Sequence, residues 1–406
     1  MFSRLLLVAS LSCGTALAWD HVFPFDPGFD IQAVASLAES LPSHSWEYGT
    51  AAETMLELYN VSLSVFSPCH SAAPATQLTI ENVRSLRYAH EKIVIGKGAN
   101  ALSDGDGAVG DPASLGVAAL MLGQTISEYA IAAGDQLDFV VNKAPRWENG
   151  AISHRVEEPE LWADFVYMAP PFIAYYGLDQ SNASLIEVAV EQCKLYREVL
   201  LSPMYPSLWK HIVGNLHPDA GHWSTGNAWA AAGMTRVLAT VLRAPSSCVS
   251  PQQRDTWAND LTYMIKEIVD GAIMLPDDNG LLRNYIDDPT WFGEISGSSL
   301  LAYVAYRMAV LRPDVFVSSP YLEWAEGMRE TLGDGHVTKE GIGQPAVNPL
   351  GWGDRNPFVT GSPEGQNFVV LMYAAWRDCV LTGTCDFDWE CVGQDAEDMK
   401  GWVTQC

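Results

Sequence analysis

The chain has 406 residues, of which 48% are hydrophobic and only 18% are charged. It is therefore long enough to bury a large core and is not composed like a disordered segment. Its 49 acidic residues outnumber its 23 lysines and arginines, which leaves few cations for phosphate binding, so we expect no nucleic-acid partner.

The first 18 residues have the pattern of a secretory signal peptide. Arg4 precedes an apolar run at residues 5–11, and Ala16 and Ala18 supply the small side chains of a cleavage site. The run is too short to span a bilayer, and no later stretch has about 20 uninterrupted apolar residues. We predict a secreted, extracellular protein with no membrane partner, from which residues 1–18 are removed.

Apolar residues repeat at intervals of three and four along most of the remaining chain, which predicts helices. These helices cover residues 46–65, 115–133, 161–176, 185–201, 227–242, 254–274, 298–311, 321–332 and 366–381. Breaks rich in Gly, Pro, Asp and Asn separate them, and no flexible Gly/Ser linker is present. We predict one all-α domain at residues 19–385 and a cysteine-containing tail at residues 386–406 that packs on it.

Seven cysteines remain after removal of the signal peptide, and four of them lie in the last 28 residues. In an oxidising compartment this number allows at most three disulfides and leaves one free thiol. We predict that Cys379 pairs with Cys385 and Cys391 with Cys406. No CxxC or paired HxxxH pattern accompanies these cysteines, so we expect no metal site.

Two Asn-x-Ser sequons begin at Asn60 and Asn182. In a secreted eukaryotic chain such sequons accept glycans at exposed positions. We therefore expect a glycoprotein in which both positions are exposed.

Three predicted helices begin in the same way. Thr225-Gly226-Asn227, Ser296-Gly297-Ser298 and Thr360-Gly361-Ser362 each place a hydroxyl and a glycine before an apolar helix. Helix capping alone explains such an opening. If the three helices lie parallel, however, their N-terminal N–H groups converge at one mouth, where the helix dipoles favour an anionic ligand.

The segment at residues 147–172 carries the strongest chemical signal. It contains His154-Arg155 and then Trp162-Ala-Asp164, which sets an aspartate in the middle of a predicted apolar helix. Burial there would raise the pKa of Asp164, as a general acid working near neutral pH requires. The alternative is an aspartate that caps a neighbouring loop or binds a buried amide.

Four motifs suggest a family. They are Gly110-Asp111-Pro-Ala-Ser-Leu-Gly116, then Trp162-Ala-Asp164-Phe-Val-Tyr-Met-Ala-Pro-Pro-Phe172 after His154-Arg155, then Trp223-Ser-Thr-Gly-Asn227-Ala-Trp229, and Glu294-Ile-Ser-Gly-Ser298. In this order they resemble glycoside hydrolase family 105, the unsaturated rhamnogalacturonyl hydrolases, which is related to the family 88 unsaturated glucuronyl hydrolases. The likeness runs from about residue 110 to residue 380. It implies an (α/α)6 barrel of six helical hairpins.

The resemblance also implies a reaction. The substrate would be an oligosaccharide, such as a pectin fragment, whose non-reducing end is a uronic acid with a C4=C5 double bond. Protonation at C4 and addition of water at C5 give a hemiketal, which opens and releases the remaining sugar. By matching position, Asp164 gives a proton and then takes one from water, while Asp111 orients water or sugar hydroxyls. We expect a monomer that needs no cofactor.

Further positions follow from the resemblance as substrate-binding candidates. They are His154 and Arg155 as donors near Asp164, the indoles of Trp162, Trp223 and Trp229 as stacking surfaces, His217 as a further contact, and Asn227 and Ser298 as hydroxyl binders. Tryptophans in helices are also common core residues, which is the alternative for the three indoles. Lys143 and Arg146 extend the pair His154-Arg155 into a candidate cationic cluster.

One position departs from the family pattern. Where the family has an arginine before Gly-Asn, this chain has Thr225, and Ala228 replaces the following glycine. An arginine there would offer a bidentate grip on the substrate carboxylate. The departure leaves the substrate open, and Arg155 or the helix N-termini are the candidate replacements.

Two other functions stay open at this point. A conventional glycosidase on the same barrel would use two carboxylates, for which Asp277-Asp278, Asp287-Asp288 and Glu294 are candidates, although adjacent acids in Gly/Pro-rich loops usually form turns. The other is a secreted carbohydrate-binding protein that has lost catalysis, as Thr225 and the acidic tail suggest.

Overall fold

The helices form two concentric layers in the computed structural model, which describes residues 22–67, 78–318 and 320–387. In chain order they are α1 (Ile31–Ser40), α2 (Ser45–Tyr59), α3 (Arg84–Lys92), α4 (Gly110–Ala113), α5 (Gly116–Gly123), α6 (Ser127–Asp138), α7 (Phe165–Met168), α8 (Pro170–Asp179), α9 (Ala183–Leu200), α10 (Ser224–Arg243), α11 (Pro251–Ile273), α12 (Ile295–Leu311), α13 (Pro313–Phe316), α14 (Tyr321–Thr331) and α15 (Pro363–Leu381). Two short strands, β1 (Leu161–Trp162) and β2 (Ile212–Val213), form one antiparallel pair.

The inner layer is a closed ring of six helices. Each contacts the next in the order α2, α5, α8, α10, α12 and α15, and α15 contacts α2 again. Helices α10, α12 and α15 are buried along almost their whole length. Since they have no solvent-facing side, most of their residues are apolar or small, as expected of a helix enclosed by others. Their few charged residues, such as Arg236 and Arg307, are paired inside the barrel.

The outer layer covers this ring with one helix for each inner helix. Helices α3, α6, α9, α11 and α14 follow their inner partners in the chain and pack on them, and α1 packs on α15. Each outer helix buries one face and leaves the other exposed, for example α9 and α11. Six inner–outer pairs make an (α/α)6 barrel, which confirms the predicted fold class.

Close contacts of the inner helices with neighbouring helices explain the small residues at these positions. A Cβ atom on Gly233 in α10 would lie 2.1 Å from the carbonyl oxygen of Val166, and one on Gly297 in α12 would lie 2.5 Å from Oγ of Ser224. Neither neighbour is free to withdraw, because each belongs to a buried helix turn. Glycine at these positions therefore sets how closely the helices approach.

Two predicted helices are broken in the structure. The segment at residues 115–133 forms α5 and α6, because the chain turns at residues 124–126 and reverses from the inner layer to the outer one. The segment at residues 161–176 forms β1, α7 and α8 instead of one helix. Both segments are apolar on either side of the break, so periodicity alone does not reveal the turn.

A buried ionic cluster ties three inner helices together. Arg307 in α12 donates to Oε2 of Glu57 in α2 and to Oδ2 of Asp378 in α15, both at 2.6 Å. The hydroxyl of Tyr303 donates to the other oxygen of Glu57 at 2.9 Å. Burial raises the pKa of Glu57 to about 7 although Arg307 opposes the shift. The cluster therefore depends on all its partners being present.

The ends of the described region test part of the cysteine and sequon predictions. The predicted Cys379–Cys385 disulfide is present, whereas Cys391, Cys406 and the predicted signal peptide lie outside the described residues. Asn182 is exposed where it caps α9, but Asn60 at the end of α2 is half-buried. Within residues 22–67, 78–318 and 320–387, every helix is too short or too polar to cross a membrane.

Candidate active site

A cavity of about 180 Å³ lies where the N-terminal ends of several inner-layer helices meet. Trp46 in the first turn of α2, Asp111 in α4, Asp164 before α7, Trp223 before α10 and Glu364 in the first turn of α15 all line it. Each side chain lies in, or directly before, a different helix. The closed barrel therefore assembles the site from residues that are far apart in the sequence.

Asp164 lies in the turn between β1 and α7, so its predicted position in the middle of a helix is wrong. The backbone N–H of Tyr167 donates to the carbonyl of Asp164 at 3.0 Å, and that of the preceding Ala163 donates to the carbonyl of His211 at 2.9 Å. The second bond extends the pairing of β1 with β2. This pairing holds Asp164 at the N-terminal end of α7. The side chain of Asp164 is 14% exposed and lines the cavity.

His211 is the nearest basic partner of Asp164. Its Nε2 lies 3.3 Å from Oδ2 of Asp164, and its Nδ1 lies 3.0 Å from Oδ2 of Asp219. The imidazole itself is fully buried. Burial disfavours a charged imidazole, but the two carboxylates outweigh it and raise the pKa of His211. The sequence did not single out His211 or Asp219.

Asp219 is fixed by several donors. Its Oδ2 accepts from the hydroxyl of Tyr285 at 2.6 Å and from Nε1 of Trp352 at 3.1 Å, and its Oδ1 accepts from the backbone N–H of Gly221 at 2.9 Å. Burial alone would raise the pKa of Asp219, but the hydrogen bonds from His211 and Tyr285 lower it. Asp219 is therefore an ionised acceptor behind His211 at neutral pH.

Asp111 and His154 form a second pair in the cavity, with Oδ1 and Nε2 3.8 Å apart. Burial and the charge of Asp164 raise the pKa of Asp111 to about 8, although the charge of Arg155 opposes the shift. Burial lowers the pKa of His154 to about 4, although Asp164 opposes it. At neutral pH, Asp111 therefore holds a proton and His154 is uncharged.

Arg155 is the only lysine or arginine among the described residues that line the cavity. Its Nη2 donates to Oε1 of Glu157 at 3.2 Å, and its buried Nε has no hydrogen-bond partner among the described residues. Gly107 makes room for it, since a Cβ atom there would lie 2.5 Å from Nη2 and the backbone φ is +82°. Arg155 is thus a partly buried cation beside Asp111.

The predicted cluster of four cations does not form. Nζ of Lys143 lies 2.5 Å from Oδ2 of Asp138 on the outer layer. Arg146 donates to the carbonyls of Gly150 and Val141 at 2.8 and 2.6 Å. Both are bound by groups close in the sequence, so only the pair His154-Arg155 reaches the cavity. The prediction was wrong because closeness along the chain did not bring all four side chains to one place.

Aromatic rings wall the cavity. Trp162 stacks on His154 with ring centroids 4.8 Å apart and an interplanar angle of 27°, and it meets Trp352 edge-on at 5.5 Å. Nε1 of Trp223 donates to Oδ1 of Asn284 at 2.8 Å, which holds that indole against the cavity. Flat apolar faces beside carboxyl groups suit a sugar ring.

His217 does not line the cavity but supports its wall. Its ring lies edge-on to Trp162 at 5.5 Å, and its Nδ1 lies 3.0 Å from Oε2 of Glu160. The same buried Glu160 accepts from Nε1 of Trp162 at 2.7 Å and from the backbone N–H of Leu216 and His217 at 2.9 and 2.7 Å. Glu160 therefore couples the indole to the loop that carries His217.

Three further predicted substrate-binding residues, besides His217, lie outside the cavity. Trp229 is fully buried between Tyr167 and Phe368, with ring centroids 4.4 and 4.6 Å away. The amide of Asn227 binds the backbone of Trp209 and Trp223, and Oγ of Ser298 binds the backbone of Leu282 and Glu294. The polar groups of Asn227 and Ser298 are therefore bonded within the barrel, whereas Trp229 packs among aromatic rings and its buried Nε1 has no hydrogen-bond partner among the described residues.

The helix N-termini adjoin, but a carboxyl group of the protein itself already occupies one of them. Glu294 accepts from the backbone N–H of Ser296 and Gly297 at 2.6 Å, and from the hydroxyls of Ser224 and Thr225 at 2.9 and 3.3 Å. All are fully buried. The N-terminus of α12 is therefore occupied, and Thr225 is a buried hydroxyl that does not line the cavity.

The acidic pairs in the loops are used in local turns and in contacts between loops. Asp277 accepts from the N–H of Gly280 and Asp288 from Thr290. Asp278 accepts from the more distant N–H of Gly293, and Oδ2 of Asp287 lies 3.0 Å from Nδ1 of His222. None of the four acids of these pairs lines the cavity. A two-carboxylate site built from them has no support in the geometry.

Glu364 is a further carboxyl that the sequence did not single out. It is 4% exposed, and its Oε1 accepts from Nε1 of Trp46 at 2.8 Å. Burial raises the pKa of Glu364 well above its usual value although the bond from Trp46 opposes the shift. A glutamate directly after a proline, as Glu364 after Pro363, is common in the first turn of a helix. The sequence therefore does not indicate its place in the site, which depends on closure of the barrel.

Comparison with known proteins agrees with the geometry. The model of Glycosyl Hydrolase Family 88 matches residues 113–342. The chain is similar to the unsaturated rhamnogalacturonyl hydrolase YesR of Bacillus subtilis, with 26% identity over 184 residues, 43% of this chain and 50% of that one. The chain thus spans about half the length of the curated relative that it matches.

Solved structures share the fold. A possible member of family GH105 from Salmonella enterica aligns with a TM-score of 0.65 at 16% identity, over 86% of this chain and 93% of that one. An unsaturated glucuronyl hydrolase from Bacillus sp. GL1 aligns with a TM-score of 0.57 at 14% identity, over 85% and 94% of the two chains. At such identities the likeness concerns the barrel. The relationship predicted from the motifs is confirmed.

Proposed function

The chain belongs to glycosyl hydrolase family 88, and from that premise we propose that it is a glycoside hydrolase for oligosaccharides that end in a 4,5-unsaturated uronic acid. Pectin or rhamnogalacturonan fragments left by a lyase are the proposed substrates. The kinship with a rhamnogalacturonyl hydrolase supports this choice. The predicted signal peptide supports secretion as part of the proposal.

The proposed reaction uses the double bond of the substrate. Asp164 gives a proton to C4, which leaves an oxocarbenium-like cation centred on C5 and the ring oxygen. Water adds at C5 and returns a proton to Asp164, and the hemiketal so formed opens and releases the remaining sugar. The enzyme regains its starting protonation state in each cycle.

The observation that carries the proposal is the placement of two carboxyl groups in one aromatic-walled cavity. Asp164 is partly exposed there, and Asp111 is buried and protonated at neutral pH. A protonated Asp111 adds no second negative charge beside Asp164, and it can both donate and accept a hydrogen bond. Asp111 is therefore suited to orient water or a sugar hydroxyl while Asp164 exchanges protons.

Arg155 is the proposed partner of the uronate carboxylate. It is the one guanidinium among the described residues that line the cavity, and Thr225, at the position of the family arginine, is turned into the Glu294 cluster. An arginine beside protonated Asp111 gives an anionic group a place in an otherwise acidic cavity. This assignment favours acidic sugars over neutral ones.

The test is a spectroscopic assay on lyase-generated unsaturated oligogalacturonides and rhamnogalacturonan fragments. Hydration removes the conjugated double bond, so we expect ultraviolet absorbance to fall as free sugar is released. Saturated oligosaccharides of the same composition are the matched control and should stay intact. Cleavage of the saturated sugars alone would favour a conventional glycosidase, and binding without turnover would favour a carbohydrate-binding protein.

A further inference from the structure

We propose that Asp219 is a positioning residue that fixes the tautomer of His211, so that Asp164 and His211 together store one transferable proton. The inference rests on the proposed function for its kinetic part only. Its structural basis is two short distances. Oδ2 of Asp164 lies 3.3 Å from Nε2 of His211, and both atoms are buried without a hydrogen-bond partner among the described residues. Nδ1 of His211 is hydrogen-bonded to Oδ2 of Asp219 at 3.0 Å.

The position of Asp219 decides which imidazole nitrogen carries hydrogen. Asp219 is an acceptor already held by Tyr285, Trp352 and the backbone of Gly221, so the nitrogen facing it must donate. Nδ1 of His211 therefore keeps its hydrogen in every protonation state of the pair. The other nitrogen, Nε2, is left to exchange a proton with Asp164.

One proton can then sit in either of two places. It lies on Oδ2 of Asp164 beside neutral His211, or on Nε2 of His211 beside ionised Asp164. When C4 of the substrate takes the proton, Asp164 is left as a carboxylate and His211 is left neutral with its Nδ1–H intact. The proton released when water adds at C5 restores the pair, so charge and protons balance over the cycle.

The surroundings of His211 make Asp219 the dominant influence after Asp164. Among the described residues, the titratable groups that interact with the imidazole are Asp164, Asp219 and His154, and its aromatic neighbours are Trp162, Trp223 and Trp352. His154 is uncharged at neutral pH because burial lowers its pKa to about 4. Removing the charge of Asp219 should therefore lower the pH at which the pair loses its proton.

The first test is Asp219→Asn in the full chain, measured on the unsaturated substrate across pH. We expect kcat to fall about tenfold or more, with KM changed by less than about twofold, because Asp219 does not line the cavity. The basic limb of the kcat profile should move to lower pH. An unchanged profile would overturn the proposal, since a purely structural role would scale the rate without moving the limb.

Tyr285→Phe is the matched control. It removes one donor to the same oxygen of Asp219 and leaves the carboxylate charge in place. We expect the pH profile of this variant to match that of the wild type. If it shifts as far as that of Asp219→Asn, the effect comes from packing around the loop and the proposal is wrong.

A second readout does not depend on turnover. In the wild-type protein at a pH above the profile's basic limb, nitrogen NMR of His211 should show hydrogen on Nδ1, and Asp219→Asn should increase the share with hydrogen on Nε2. Hydrogen on Nε2 in the neutral wild-type imidazole would overturn the proposal. If the wild type turns over no unsaturated uronide, the proposed function fails while this measurement still decides the tautomer.

Discussion

Oδ2 of Asp164 and Nε2 of His211 lie 3.3 Å apart, although helices α7, α8 and α9 separate the two residues in the sequence. The contact depends on a β-pair of two residues a strand, Leu161–Trp162 with Ile212–Val213, which sets the segments before Asp164 and after His211 side by side. A very small element of the fold thus places the basic partner beside the proposed proton donor.

The pKa of Asp111 predicts a pH-dependent stability change in Asp111→Asn. The carboxyl keeps its proton up to about pH 8 in the folded chain, against 3.8 as its ordinary value. The unfolded chain loses that proton as pH rises from about 4, so wild-type stability falls between these values. Asparagine avoids this cost, and we expect its free energy of unfolding at pH 7 to exceed the wild-type value by roughly 1–4 kcal/mol.

Urea unfolding of both proteins at pH 4 and pH 8 measures the effect. The difference in free energy of unfolding between Asp111→Asn and the wild type should be small at pH 4 and largest at pH 8. A constant difference across this range would contradict protonation of the folded Asp111. The same variant should keep part of its activity, since an amide also donates and accepts hydrogen bonds and Asp111 is proposed to orient groups and not to exchange protons.

We expect the variant Arg155→Gln to lose selectivity for acidic sugars. We expect KM for an unsaturated uronide to rise about tenfold or more, because a charge-assisted hydrogen bond is lost. The methyl ester of the same sugar should be affected little. Arg146→Gln, which removes a cation bound only to backbone carbonyls outside the cavity, is the control and should behave like the wild type. Equal losses on acid and ester would contradict the assignment.

Glu160→Gln should loosen the aromatic wall. The carboxylate accepts four hydrogen bonds or ion-pair contacts from Trp162, Leu216 and His217, and an amide would turn a donor toward one of them. We expect a stability loss of about 2 kcal/mol, seen as earlier unfolding in urea, and a higher KM. The control, Glu148→Gln, changes an exposed acid and should alter neither quantity.

Arg307→Met tests the buried ionic cluster. Its loss leaves Glu57 and Asp378 without their shared partner in the core, which should reduce the free energy of unfolding by about 3–5 kcal/mol. Arg355→Met removes a half-exposed pair with Asp288 and should cost less than about 1 kcal/mol. Similar losses in both variants, measured by urea unfolding, would contradict the role of the cluster.

The sequence predicts the fold well because the inner helices have a periodic apolar pattern and conspicuous starts, as in α10, α12 and α15. It fails where the chain reverses inside an apolar run, as between α5 and α6 or before α7. Family motifs bring Asp111, His154, Arg155, Trp162, Asp164 and Trp223 to one cavity. The motifs do not reveal that Asn227, Trp229 and Ser298 are buried within the barrel and do not line the cavity.

The site residues that the sequence did not single out share a physical reason. His211 and Asp219 lie in an irregular stretch without periodicity, and Glu364 has the sequence context of a common helix start. Their roles depend on contacts between distant segments, such as Trp46 with Glu364. Local pattern carries no information about those contacts, which arise only when the ring of helices closes.

The most direct measurement compares the wild type with Asp164→Asn on an unsaturated uronide, following ultraviolet absorbance and, separately, equilibrium binding. We expect the wild type to consume the double bond, and the variant to bind the sugar with similar affinity while its kcat falls by about 10²- to 10⁴-fold. Wild-type turnover retained in Asp164→Asn would contradict the central role of this carboxyl.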